Sequence, residues 1–144
     1  IAREAGSRSK IAVYTTQNNI DPVGSCIGQR GTRINAIINE LGEEKLDIIE
    51  YDKDIKQYIT NSLAPANIEN IEINEEKKEA EVLVNKDQFS LAIGKKGQNV
   101  RLASRLTGFK INITPNENNQ QEEVNNDVEV INTTIEEKLD DNII

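Results

Sequence analysis

The chain has 144 residues, with no His, Met or Trp and a single cysteine. One cysteine excludes an internal disulfide. With no histidine, one cysteine and scattered carboxylates, no metal site of ordinary ligand type is evident, and the sequence predicts no catalytic residue, no metal and no cofactor. No run of about 18 apolar residues occurs, which excludes a membrane-spanning helix. The unpaired cysteine suits a reducing compartment, and we expect a cytoplasmic protein.

Charge is unevenly distributed. The net charge of −8 argues against a nucleic-acid partner, but residues 115–144 alone hold nine acidic and one basic residue, which also gives −8. Residues 1–114 are therefore neutral, with 16 residues of each sign. Within them, residues 1–33 carry +3 (five basic, two acidic), residues 40–81 carry −8 (five basic, thirteen acidic) and residues 86–110 carry +5 (six basic, one acidic). Taken alone, such runs usually solvate a surface.

The first 51 residues predict a small unit of strands and helices. It begins inside a strand and without Met, so we expect a fragment of a longer protein. A β-rich segment, a short helix, a longer helix and a second β-branched segment follow. In chain order these elements lie at residues 1–3, 10–15, 22–27, 32–41 and 46–49.

Residues 52–114 predict the same order, now preceded by a helix. Ile55, Ile59 and Leu63 have the i, i+4, i+8 spacing of an amphipathic helix. Strands at 68–74 and 80–85, helices up to 93 and at 98–107, and a strand at 111–114 complete an α-β-β-α-α-β unit. The first unit lacks the opening helix. We expect the two units to pack together, because a module of about 60 residues buries only about 60% of its unfolded surface.

The two units share an internal repeat. A shift of 66 residues aligns five identities: Asp21 with Asp87, Ile27 with Ile93, Gly28 with Gly94, Gly31 with Gly97, and Gly42 with Gly108. The aspartates are predicted to cap the short helices, and the last glycine pair to end the longer helices in the left-handed conformation.

The chemistry is predicted to lie in the G-x-x-G segment between the helices. Glycines let a ligand approach the backbone, and the free amides of the bridge and of the next helix's first turn form an anion site. Basic side chains at and after the bridge add positive charge, so the natural anion is a nucleic-acid phosphate. The predicted RNA-binding residues are Gly28, Gln29, Arg30, Gly31 and Arg33 in the first copy, and Gly94, Lys95, Lys96, Gly97, Asn99 and Arg101 in the second.

Other interpretations of these motifs are weaker. Residues 24–28 mimic the nucleophile elbow G-x-S-x-G with Cys26 as nucleophile, but no histidine can act as its base, and we expect Cys26 in the core. The segment I-G-K-K-G lacks the spacing of a nucleotide-binding P-loop. A lone G-x-x-G is usually just a turn, whereas two copies at matched positions favour binding.

The order α-β-β-α-α-β with I-G-x-x-G between helices resembles the K-homology (KH) domain of type II, prokaryotic topology. The resemblance implies an α+β fold with two tandem KH domains, each a three-stranded mixed sheet with helices packed on one face. The domains would span 1–51 and 52–114, followed by an acidic tail at 115–144 that we expect to be disordered. In that family the loop clamps the backbone of single-stranded RNA.

The strings D-P-V-G-S-C-I-G-Q-R-G-T-R-I and Q-F-S-L-A-I-G-K-K-G-Q-N-V-R-L-A-S-R-L-T-G look like the paired KH region of the NusA family of transcription elongation, termination and antitermination factors. This resemblance covers nearly all of residues 1–114. It implies a non-enzymatic, monomeric binder of nascent RNA, with RNA polymerase and other elongation factors as partners. Two alternatives stay open: a KH module of a ribosomal protein or RNA-decay factor, and a degenerate KH pair that binds protein.

Overall fold

The computed structural model describes residues 1–117, so the predicted disorder of residues 118–144 lies outside the described part. The first unit contains strand β1, strand β2, helices α1 and α2, and strand β3. The second contains helix α3, strands β4 and β5, helices α4 and α5, and strand β6. In chain order they span Ala2–Glu4, Arg8–Val13, Pro22–Ile27, Thr32–Leu41, Lys45–Glu50, Ile55–Ser62, Asn70–Asn74, Glu79–Asn85, Lys86–Ile93, Gln98–Thr107 and Lys110–Asn116.

Each unit forms one mixed sheet. In the first, the strand order is β1-β2-β3, with β1 antiparallel and β3 parallel to the central β2. In the second, the strand order is β4-β5-β6, with β4 antiparallel and β6 parallel to the central β5. The predicted pair of three-stranded mixed sheets is confirmed. Strand β6 continues to Asn116, two residues beyond the expected boundary, and its edge position lets it include Pro115.

The core lies mainly in the second unit. Ala80, Val82 and Val84 alternate along β5 toward the helices and are at most 1% exposed, while Ile59 and Leu63 close over them from the region of α3. Helices α1 and α2 bury no residue fully. The reason is that the first unit has no counterpart of α3 within the described residues.

The two units pack against each other through polar side chains. Arg101 on α5 pairs with Glu4 on β1 at 2.7 Å, and Gln98 donates to the Ser7 hydroxyl at 2.7 Å. Lys10 on β2 is fully buried and donates to the Ala64 carbonyl at 3.0 Å. The predicted packing of the units is confirmed.

All three tyrosines of the chain meet at this junction. The ring centroids of Tyr14 and Tyr51 lie 5.8 Å apart, and those of Tyr51 and Tyr58 lie 4.9 Å apart. Tyr58 is buried and donates its hydroxyl to the Leu106 carbonyl at 3.3 Å, whereas Tyr14 is 70% exposed. The row therefore runs from the interior of the second unit to solvent beside the first.

The helix N-termini differ in part from expectation. Asp21 occupies the N-cap position of α1, but its side chain accepts no capping hydrogen bond. Asp87 is not an N-cap: α4 begins at Lys86 with Asn85 as its cap, and Asp87 falls in the first turn. The prediction was wrong by two residues because Asn and Asp are both good N-caps. Asp87 still has a favourable position there, since the N-terminal turn attracts negative charge.

Two further expectations are corrected. Gly108 ends α5 in the left-handed conformation as predicted (φ 77°, ψ 12°), but Gly42 has φ 77° and ψ −112°, outside that region. Cys26 is only half-buried instead of lying in the core. Within residues 1–117 no helix is long and apolar enough to cross a bilayer.

Candidate nucleic-acid interface

The two G-x-x-G loops have the same backbone conformation. Each is a single 3-10 turn: Gln29–Gly31 lies between α1 and α2, and Lys95–Gly97 lies between α4 and α5. The first glycines have φ/ψ of 76°/171° and 78°/173°, and the second glycines 74°/18° and 75°/13°. The repeat found in the sequence is therefore a repeat in three dimensions.

The first glycine of each loop cannot carry a side chain without a clash. A Cβ atom built on Gly94 would lie 2.7 Å from the amide nitrogen of Asn99, and one on Gly28 would lie 2.8 Å from Cγ of Arg33. The following helix thus begins directly against the glycine. This contact holds the loop close to the helix and leaves its outer side open.

A basic residue occupies the strained position of each loop. Arg30 (φ 55°, ψ 25°) and Lys96 (φ 53°, ψ 30°) are left-handed although they are not glycines. That conformation costs about 1–2 kcal/mol per residue, and such strain is concentrated at functional sites. Both side chains are exposed, as is Lys95, and neither lysine forms a salt bridge with any of residues 1–117.

Part of the predicted anion site is already occupied. The amides of Gly31 and Gly97 donate to the carbonyls of the first glycines at 3.1 Å. The first helical residues, Thr32 and Gln98, donate back to the first bridge residues. The expectation of fully bare amides is therefore corrected, because the 3-10 turn uses two of them. No side chain caps the N-terminus of α2 or α5.

Asn99, predicted to contact RNA, is buried. It is 0% exposed, and its amide group donates to the Leu63 carbonyl at 3.0 Å and to the Ala92 carbonyl at 2.9 Å. It therefore connects α5 to α4 and α3 behind the loop, and we reassign it from an RNA contact to loop support. Its counterpart Arg33 is exposed and donates to the Ser25 carbonyl at 2.9 Å, because no helix covers it.

Arg101 is also engaged within the protein. Its Nη1 donates to the Lys96 carbonyl at 2.9 Å, while Nε and Nη2 donate to the Glu4 carboxylate at 3.1 and 2.7 Å. The hydrogen bond to Glu4 raises the pKa of Arg101 above its usual value. Arg101 thus joins the second loop to the first unit, so we place it among the residues that position the loop.

A cleft of about 450 Å³ opens beside the first loop. Gly28, Gln29 and Arg33 line one end, and Asn19 and Ser25 lie on the wall formed by α1 and the segment before it. Sequence reasoning missed these last two residues. The polar run before the first helix was the available signal, but it carries no periodicity. Within residues 1–117 no cluster of three His, Cys, Asp or Glu side chains could hold a metal.

The sequence matches two family models, one for each unit. Residues 1–51 match the NusA-like first KH domain, and residues 55–121 match the NusA-like second KH domain. Among solved structures, the crystal structure of APE1850 matches with a TM-score of 0.59 and 28% identity, covering 79% of this chain and 83% of that chain.

Similar curated proteins are named transcription termination/antitermination protein NusA. That of Thermus thermophilus is 58% identical over 111 residues (77% of this chain, 29% of the relative), that of Borreliella burgdorferi 55% over 114 (78% and 24%), and that of Bacillus subtilis 51% over 113 (78% and 30%). The chain spans less than a third of the length of these relatives. The loop geometry, the two domain matches and these identities together show that the chain belongs to the NusA family and contains its pair of KH domains.

Proposed function

We propose that the chain binds single-stranded RNA through both G-x-x-G loops, without catalysing a reaction. The observation that carries this proposal is the duplicated loop with a basic residue, Arg30 or Lys96, exposed at its left-handed position. An RNA backbone would pass over the loops, where the phosphates meet the cationic side chains.

The two loops are held in a fixed arrangement. Arg101, Gln98 and Lys10 connect the second unit to the first by hydrogen bonds, two of them from the helix that follows the second loop. One RNA strand can therefore contact both loops without an entropic cost for ordering the domains. The second loop should contribute more phosphate affinity, because it presents two lysines where the first presents Gln29 and Arg30.

The biological setting follows from the family. The relatives are named transcription termination/antitermination proteins, and that name describes a transcription factor. We infer that the chain is the RNA-binding part, residues 1–51 and 52–114 with the acidic tail after them, of a cytoplasmic regulator that acts on nascent RNA at RNA polymerase with other elongation factors. Co-purification with RNA polymerase, and not with ribosomes, would support this setting; the opposite result would favour a translational KH protein.

The binding role is tested by reversing the charge of the second loop. Lys95→Asp with Lys96→Asp should lower the affinity for a ten-nucleotide single-stranded RNA and reduce the log–log salt slope by about 0.7 for each phosphate that the loop no longer neutralises. Lys53→Asp with Lys56→Asp is the matched control, since both lysines are exposed and lie outside the loops. Equal affinities for the loop variant and the control in filter binding would reject the proposal.

A further inference from the structure

A second cleft lies between α5 and the start of β6, and neither loop lines it. Its volume is about 480 Å³. Arg101, Arg105 and Lys110 supply its charge, and Val100, Phe109 and Ile111 supply its apolar wall. We call it the α5–β6 cleft.

Two of the three cations in this cleft are available to a ligand. Arg101 is paired with Glu4, but Arg105 and Lys110 are exposed and form no salt bridge with residues 1–117. Two carboxylates lie nearby. Glu4 has a pKa lowered mainly by its hydrogen bond from Arg101 and further by the charge of Arg105, and Glu79 stands opposite Lys110 in the strand register. Three cations against two carboxylates leave a net positive charge.

The apolar wall gives the cleft a second kind of contact. Val100 and Phe109 pack against the hydrophobic core, as does the buried Ile111 at the start of β6. A nucleotide has both parts that such a site accommodates, a flat base for an apolar or aromatic surface and a phosphate for guanidinium and ammonium groups.

The cleft is connected to the second loop. Arg101 contacts the Lys96 carbonyl at the loop and also lines the cleft. Arg105 follows one helical turn later on the same face, about 6 Å further along the axis. A strand that leaves the second loop along α5 therefore reaches Arg105 and Lys110.

The first unit does not repeat this feature. The 66-residue shift places Asn35, Asn39 and Glu44 at the positions of Arg101, Arg105 and Lys110. Glu44 is 2% exposed and is bound by Arg3. The cleft is therefore a property of the second unit and not of the duplicated fold.

We propose that the α5–β6 cleft binds one further nucleotide of the RNA strand held by the second loop, with the phosphate at Arg105 and Lys110 and the base against the Phe109 side. The inference rests on the proposed RNA binding and adds a position to it. It predicts a site that only an RNA longer than the loop's own footprint of about four nucleotides can reach.

The test uses the full chain with Arg105→Gln and Lys110→Gln, and single-stranded RNAs of four and ten nucleotides. The four-nucleotide RNA should bind this variant as tightly as it binds the unaltered chain. For the ten-nucleotide RNA, the log–log salt slope should fall by about 0.7, which is about fivefold in affinity at 0.1 M salt. Lys53→Gln with Lys56→Gln removes the same charge elsewhere and should leave both RNAs unaffected.

Photo-crosslinking adds a readout of position. A ten-nucleotide RNA with 4-thiouridine at each uridine in turn should yield a crosslink to the peptide that contains Phe109, and the crosslink should disappear in the Arg105→Gln, Lys110→Gln variant. An unchanged slope without this crosslink, an equal effect on both RNAs, or binding of an acidic peptide in place of RNA would overturn the inference. Failure of the unaltered chain to bind either RNA would instead remove the proposed function.

Discussion

The first glycine of the second loop should be far less replaceable than the second glycine. At Gly94, φ 78° and ψ 173° lie in a region almost confined to glycine. A residue with a side chain is strained there by about 1–3 kcal/mol. A Cβ there would also lie 2.7 Å from the backbone nitrogen of Asn99, which cannot move without shifting α5. We expect Gly94→Ala to lower the free energy of unfolding by about 3 kcal/mol.

Gly97→Ala provides the contrast. Gly97 has ordinary left-handed angles, and its Cβ would meet nothing closer than the Arg101 Nη1 at 3.8 Å. Its cost should be about 1 kcal/mol. Urea denaturation of the full chain, followed by far-UV circular dichroism, measures both changes. Gly108→Ala, left-handed with open space around it, is the control and should resemble Gly97→Ala.

The first loop offers a graded comparison. At Gly28 the nearest atom to a new Cβ is Cγ of the flexible Arg33 side chain, at 2.8 Å, so Gly28→Ala should cost less than Gly94→Ala. Equal destabilisation by Gly94→Ala and Gly97→Ala would refute the reasoning, since backbone strain without the contact to Asn99 would then explain both.

Four further substitutions test the packing between the units and around the first sheet. Lys10→Met removes a fully buried ammonium bonded to Asp47 and to a carbonyl of the second unit, and should cost about 2–3 kcal/mol in urea unfolding; a cost under about 1 kcal/mol would contradict its role. Tyr58→Ala should lower the free energy of unfolding by about 3 kcal/mol and Tyr14→Ala by under about 0.5 kcal/mol, because Tyr58 is 8% and Tyr14 is 70% exposed. Similar values for the two variants would show that the three tyrosines do not pack as described. Glu44 has a pKa of about 2, held down chiefly by its hydrogen bonds from Arg3 and then by the Gly6 amide. Because this folded-state pKa is below the ordinary value of 4.5, the stability it contributes is complete above about pH 4.5 and is lost as the pH falls toward 2. Glu44→Gln should flatten the thermal unfolding profile between those pH values, and an unaltered profile would disprove the assignment.

The elements and loops could be predicted because their signals are local. Helix and strand periodicity, with glycines at fixed offsets, lies within windows of about ten residues, and the 66-residue repeat supplied a second instance of each. The two sheets and the positions of the loops could be predicted from these signals. The end of β6 was missed by two residues, since Pro115 is tolerated only because that strand is at an edge.

The residues that the structure places differently, or finds already bonded within the protein, depend on contacts that are distant in sequence. Asn99 is buried because α3, which begins more than 40 residues earlier, covers it, while Arg33 at the aligned position stays exposed. Arg101 was predicted from its charge, but its partner Glu4 lies 97 residues away. Cys26 has the pattern of a core residue on a helix that buries none. Local pattern shows which side chains are basic or polar, and only the packing of the units shows which are already engaged.

The double attachment of Arg101 has a consequence for genetics. Substituting it removes the support of the Lys96 carbonyl and the link to β1 together, so a binding defect at this position does not identify an RNA contact. Glu4→Gln leaves the guanidinium and its bond to the loop in place and weakens only the link between domains. A screen that compares alleles at both positions would separate weaker binding of the transcript at the loop from a looser connection between the two domains.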